Sequence, residues 1–334
     1  MKKYRHILLK GFKIAIGTVL AIVIAELLDL QFPTSAGTVA LLTLLTTKKG
    51  TVKLIVQRLL TFFMTVLCSL ILFQRISVPI LAFTLVMIIV ATAVIAFKAE
   101  ATLSINALIA IHFLTEQDFS YDFIVNEFLL VLIGVVIAFV LNLIHHYAVY
   151  EDELDEAIVQ VDEKIRNLLK DIVDYIRLPE SHSSSWGELG KLEKIIQEKM
   201  KVALEYDENV FGSHSEYYVD FFEVREFQCE ILHMLHYEIR KIRTMPEQAH
   251  ALADYLEYVI PHIHETNDPQ PQIDALHDLL EAMKMKELPV THDEFESRAI
   301  LYHILMDFED FLTKKKRFVD QLDKSDKILH WRKK

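Results

Sequence analysis

Several residue types that often announce a protein's chemistry are scarce in this chain. Its two cysteines, Cys68 and Cys229, lie in an apolar run and in a charged segment. That spacing excludes a disulfide-stapled secreted domain and suits a reducing compartment for the second half. The eight glycines are scattered and never form Gly-x-x-x-x-Gly-Lys. Nothing therefore points to a phosphate-cradling loop or to ATP-driven work by this chain alone. Positive charge is scarce after Tyr150: residues 151–334 hold 24 Lys/Arg against 40 Asp/Glu, a net −16. Such a field excludes nucleic acid as a partner, because phosphates need the opposite sign. Metal ligands are sparse in pattern too. Glu230, His233 and His236 form one Glu-x-x-His group without the second pair that a di-metal bundle requires, and His262-x-His264 stands alone. No metal, no cofactor and no enzymatic nucleophile–base set is expected.

Apolar residues are what the first half has in abundance. Residues 1–150 carry 11 Lys/Arg and 7 Asp/Glu, a net +4, and divide into six apolar runs: Ile14–Leu30, Ala36–Thr47, Leu54–Phe73, Val78–Phe97, Ala101–Leu114 and Val125–His145. A bilayer core takes about 20 helical residues. The second and fifth runs are too short, so the order is long, short, long, repeated once. Two three-span units of this kind enter the membrane from opposite sides, which suggests a 3+3 inverted repeat. Short helices at matching places in two such halves are a sequence pointer to a transporter binding site.

Charge sets the orientation. With six spans, Lys2, Lys3, Arg5, Lys10, Lys13, Lys48, Lys49, Lys53 and Lys98 share one side, while the other receives Arg75 and the acidic loop of Glu116, Asp118 and Asp122. The positive-inside rule places both termini in the cytoplasm of a cell-membrane protein. The fold expected is all-α: a transmembrane domain at 1–148, then an acidic cytoplasmic helical bundle at 149–334. Breakers at 179–190, 212–215, 245–246, 268–271 and 289–292 separate the bundle helices. The spacing of Leu154, Ile158, Val161, Ile165, Leu168, Ile172 and Tyr175 alternates four and three. That stripe is read as a wall of the bundle core, with a coiled-coil contact or a rigid lever as the alternatives. No glycine or proline interrupts 135–178, so the sixth span is expected to run on into this helix. The run Lys314–Arg317 reads as a solvated helix face.

Candidate chemistry lies in the membrane, where ionisable groups are costly. Glu26, with Asp29 three residues on, is the candidate proton-coupling carboxylate, the plainer reading being a carboxylate that reaches the outer interface. Arg58, a turn into the third span, can either reach the cytoplasmic interface with its long side chain or meet a carboxylate with two parallel N–H bonds. The short helices begin with hydroxyls, Thr34-Ser35 and Thr102 with Ser104, where free N–H groups and the helix dipole favour anions. Ordinary capping is the plainer reading of each hydroxyl. Asn106, His112 and Asn142 add polar groups suited to interhelical hydrogen bonds. Gly17, Ala21 and Ala25, with Gly134 and Ala138, have the spacing of close helix contacts.

The stretch Pro33-Thr34-Ser35-Ala36-Gly37-Thr38-Val39-Ala40-Leu41-Leu42-Thr43, the turn Thr46-Thr47-Lys48-Lys49-Gly50 and Arg58 eight residues on resemble the aromatic acid exporter family of Gram-positive bacteria. That group is distantly similar to fusaric acid resistance proteins and aluminium-activated malate transporters. Six spans and an acidic helical C-terminal part fit it. Glycines expected after the Arg are absent, Leu59–Thr65 reading Leu-Leu-Thr-Phe-Phe-Met-Thr. The resemblance implies export of small organic, aromatic carboxylates by a homo-oligomer in the lipid bilayer, with Arg58 and the short-helix start as the transferable residues. Two other readings compete: a membrane-anchored interaction or sensory protein acting through its helical domain, and a passive anion channel.

Overall fold

The structure is a computed structural model that describes residues 2–144, 148–178, 187–210, 215–242 and 246–322, with side chains outside 2–7 and 148–149. Among the described residues there are twelve α-helices and no strand. The chain divides into two compact units, Met1–His146 with Glu208–Phe211, and Tyr147–Asp207 with Gly212–Lys334.

The first unit contains α1 (Lys2–Leu27), α2 (Pro33–Leu44), α3 (Lys48–Arg75), α4 (Pro79–Ala96), α5 (Leu103–Glu116) and α6 (Tyr121–Ile144). Four of these, α1, α3, α4 and α6, are long and apolar enough to cross a membrane. At 12 residues, α2 spans only about 18 Å, and α5 has 14 residues. Their bounds differ from the apolar runs. Proline opens α2 at Pro33, where its missing N–H takes no partner away, and α2 stops at Leu44. A 3-10 turn, Glu100–Thr102, precedes α5 and delays its start to Leu103. Among the described residues the non-glycine residues with left-handed backbones are Asp29, Phe32, Lys98 and Gln117. All four lie in the turns that enter or leave the two short helices.

Helix adjacency in this unit has a pattern. α1 packs on α2, α1 on α6 and α2 on α6; likewise α4 packs on α5, α3 on α4 and α3 on α5. Exchanging α1 with α4, α2 with α5 and α3 with α6 converts one trio into the other. Small residues bring the first trio together: Ala21, Ala25, Ala36 and Ala40 form its core with Leu130 and Ile137. A Cβ on Gly134 would lie 2.6 Å from the Ala36 carbonyl oxygen, and one on Gly17 would lie 2.5 Å from Leu44. The small-residue stripes therefore serve packing within one chain. Large side chains on the outer faces, Val19, Leu60, Phe63, Ile88 and Val140 among them, are exposed, as a lipid-facing surface requires.

The second unit is a bundle of α7 (Ala148–Arg177), α8 (Gly187–Asn209), α9 (Tyr217–Ile239), α10 (Glu247–Val259), α11 (Gln270–Lys284) and α12 (His292–Gln321). The heptad stripe of α7 is buried in its core from Leu154 to Ile172, with Tyr175 packed against it. That burial supports the core-wall reading and removes the stripe as a free coiled-coil seam. Continuity from the sixth span into α7 falls on residues 145–147, outside the described residues. Of the breakers expected at 179–190, 212–215 and 245–246, residues 179–186, 212–214 and 245 also lie outside them; residues 187–190 are not a break but the first turn of α8, Ser215 lies in a turn, and Pro246 stands at the start of α10. The run Lys314–Arg317 departs from expectation. Lys315 is buried at 4% exposure, because α12 turns that position inward between Leu312 and Phe318.

Candidate functional site

Two buried polar groupings border α2, one at each end. At its C-terminal end stands Arg58. The buried face of α3 reads Thr51, Leu54, Arg58, Thr61, Phe62, Thr65 and Ser69, a three-four spacing that turns the guanidinium inward. Arg58 is 2% exposed. Its Nη1 donates to the Val39 carbonyl oxygen at 3.2 Å and to Thr43 Oγ1. The Thr43 hydroxyl donates in turn to Val39 O at 2.6 Å, leaving its lone pairs for the arginine. Nε and Nη2 are buried without a hydrogen-bond partner, and no Asp or Glu pairs with Arg58 among the described residues. Those two nitrogens form one edge of the guanidinium, the edge that grips a carboxylate with two parallel bonds. A cation buried without its counter-charge is expensive, so this edge has the chemistry of an anion site.

The second grouping lies where α2 begins. Phe32, left-handed at φ 56°, precedes α2 and stacks on the His112 ring with centroids 4.2 Å apart. His112 Nδ1 is 2.7 Å from Glu127 Oε2, and Nε2 is 3.2 Å from Ser35 Oγ. Asn126 fastens the far side. Its amide donates to Glu127 Oε1 at 3.3 Å and to Gln31 O at 3.2 Å, while its oxygen accepts from Gln31 N at 2.7 Å. Ser35, His112 and Glu127 are 7%, 5% and 1% exposed. Three helices thus join one buried hydrogen-bond chain.

The expected site residues separate into these groups and others. Ser35 belongs to the histidine chain and Arg58 to the other end of α2. Thr34 and Ser104 are exposed. Neither short helix has a side-chain cap: the Ser35 N–H bonds the Phe32 carbonyl, and Thr102 Oγ1 donates to Ala99 O at 2.8 Å. Asn106, buried, donates to Thr102 Oγ1 at 3.2 Å, and no hydrogen bond joins it to Arg58 among the described residues. Asn142 donates to Thr51 Oγ1 at 2.8 Å, an interhelical tie. Glu26 and Asp29 are exposed at the end of α1 and in the turn after it. The buried carboxylate of this unit is Glu127, a residue not among those the sequence singled out. It lies within the run Val125–His145, and the rule that intramembrane carboxylates are functional is the signal that points to it.

Comparison with known proteins adds a family. The description "Aromatic acid exporter family member 1" matches residues 5–145, and the C-terminal domain of that exporter family matches 151–316. Uncharacterized protein YqjA of Bacillus subtilis (strain 168) is 26% identical over 314 residues, covering 92% of this chain and 95% of that protein. A crystal structure described as a membrane protein from Clostridium difficile 630 aligns with 51% of this chain and 98% of its own, at 24% identity and a TM-score of 0.46.

Proposed function

Because the chain belongs to the aromatic acid exporter family, a family of membrane transporters and not of enzymes, we propose that it exports small organic carboxylates, aromatic ones among them, across the cell membrane. The observation that carries this reading is the buried Arg58 edge, two N–H-bearing nitrogens without an acceptor among the described residues. A carboxylate supplies two oxygens at the matching separation and the missing negative charge. An aromatic ring attached to it would lie among the apolar side chains that share the Arg58 face, Leu54 and Phe62. Export sets the direction as outward, with both termini cytoplasmic on the charge distribution. Proton coupling and assembly as a homo-oligomer belong to the same proposal.

The test is flux in vesicles reconstituted with the full chain, using benzoate and propionate as probes with and without a pH gradient. Arg58→Ala should abolish flux. Arg58→Lys, which keeps the charge but loses the two-toothed edge, should lower it about tenfold. Wild-type flux in the alanine variant, with insertion verified, overturns the site. Restoration of a deletion phenotype by residues 150–334 alone would overturn transport as the essential activity.

A further inference from the structure

Resting on that transport reading, we propose that the buried Ser35–His112–Glu127 chain is the proton-binding site of the transporter, and that α2 carries its protonation state to Arg58. The sequence candidates for this task, Glu26 and Asp29, are exposed, whereas His112 and Glu127 form an ion-pair geometry at 2.7 Å with both side chains buried. As pure scaffolding such a pair is a poor choice, since apolar residues of similar volume serve as well or better in a dry interior. Its distinctive property is that it holds one proton in two ways. The proton resides on the imidazole facing a carboxylate, or on the carboxyl facing a neutral imidazole, and both arrangements are neutral overall. Loss of that proton to bulk water leaves a net negative charge buried, and regaining it restores neutrality.

Ser35 reads this change. When Nε2 carries no proton it accepts from the Ser35 hydroxyl; when Nε2 is protonated it donates to Ser35 Oγ. The bond reverses, and the length and angle it favours change with it, which bears directly on the first turn of α2. Ser35 stands in the first turn of α2, and Val39 and Thr43 of the same helix hold Arg58 Nη1. From Ser35 to Thr43 is about 12 Å of helix, a rod too short to bend much between its ends. The juxtaposition is therefore a titratable pair at one end of a short helix and an anion-seeking arginine at the other. Apart from Arg58, the ionisable groups on the surrounding elements are not buried with the pair among the described residues. Neither α2 nor α4 contains an ionisable residue; on α1, packed against α2 and α6, Lys10 and Glu26 are exposed and Lys13 is half-buried; Asp29 before α2, Glu116 on α5, Asp118 after it and Asp122 on α6 are exposed; on α3 the buried charge is Arg58 itself.

The experiment uses vesicles holding the full chain. Benzoate exchange is followed at equal pH on both faces, from about pH 5.5 to about pH 8, and accumulation is followed under an imposed pH gradient. Wild-type exchange should change about tenfold over this range, and Glu127→Gln and His112→Gln should each flatten the profile to within about twofold and abolish gradient-driven accumulation. Glu127→Asp should keep the slope. Arg58→Ala should lose exchange at every pH, a different signature. A wild-type slope in Glu127→Gln, or a flat profile in the wild type, overturns the proposal. Should the two substitutions prevent insertion, Ser35→Ala, which leaves the ion pair in place, must flatten the profile, and a steep one overturns the proposal. A wild type that moves neither benzoate nor propionate defeats the transport reading and this site with it. Transport whose slope survives in the variants defeats the proton site alone.

Discussion

Lys315 is one lysine in the run Lys314–Arg317, yet its ammonium is buried and donates to the Glu265 carbonyl oxygen at 2.6 Å. Nearby, Arg225 Nη2 lies 2.6 Å from Asp162 Oδ1, with both side chains buried. Burial, reinforced by the Arg225 charge, pushes the Lys315 pKa down to about 7, against the pull of Asp162 and Glu265. The unfolded chain therefore binds more protons than the folded one between that value and the ordinary lysine range. The penalty is complete below about pH 7 and is relieved as pH rises, so the full-length protein should gain stability by at most about 1.4 kcal/mol per pH unit across this window. Chemical denaturation in detergent should record that slope, and Lys315→Met should remove it. Inward rotation of one lysine in four is not legible in a run of like charges. The same limit hides Glu127. Glu26 and Glu127 both lie near an end of a long apolar run, and only the rotation of each helix about its axis leaves one exposed and buries the other. Residue type and depth in α3 single out Arg58 but leave it equally able to reach the interface or to turn inward, and only the rotation of α3 decides that its guanidinium is buried.

At the scale of elements, the short helices and their neighbours are readable from sequence, and their ends only in part. Hydropathy locates α2 and α5 but not their ends; the start of α2 is legible in the residues Pro33-Thr34-Ser35, whereas the 3-10 turn that delays α5 is not. Periodicity identifies the α7 stripe, since a seam at alternating four and three spacing buries one face whatever it packs against. Close approach of α2 and α6 rests on Gly134, where an added Cβ would lie 2.6 Å from a carbonyl oxygen of the α2 backbone and from Val39 Cβ. Backbone has little room to yield there, so Gly134→Ala should destabilise the protein by about 1–3 kcal/mol and lower its Tm. Gly11 has nothing within 4 Å of an added Cβ, and Gly11→Ala should stabilise α1 by about 0.5–1 kcal/mol. Melting the two variants side by side in detergent separates overpacking from helix propensity.

For the whole molecule, the distribution of charge along the chain is enough to separate a weakly basic apolar half from a strongly acidic one. The adjacency of α1, α2 and α6 against α4, α5 and α3 is not readable that way, because it depends on which helices meet and not on their composition. Orientation is open to a direct measurement. In a background with Cys68 and Cys229 replaced by serine, Asp118→Cys should react with an impermeant maleimide applied to intact cells. Lys53→Cys should react only after permeabilisation; the reverse pattern would invert the topology. The four left-handed corners at Asp29, Phe32, Lys98 and Gln117 bear on how such a molecule can move. Glycine at these positions would give swivels, free to turn either way. Residues with a Cβ sit there at a strain of about 1–2 kcal/mol each, so every corner is wound in one sense and resists folding back. The two short helices are in effect mounted on sprung brackets, and a transport cycle that re-aims them must carry each as an intact rod.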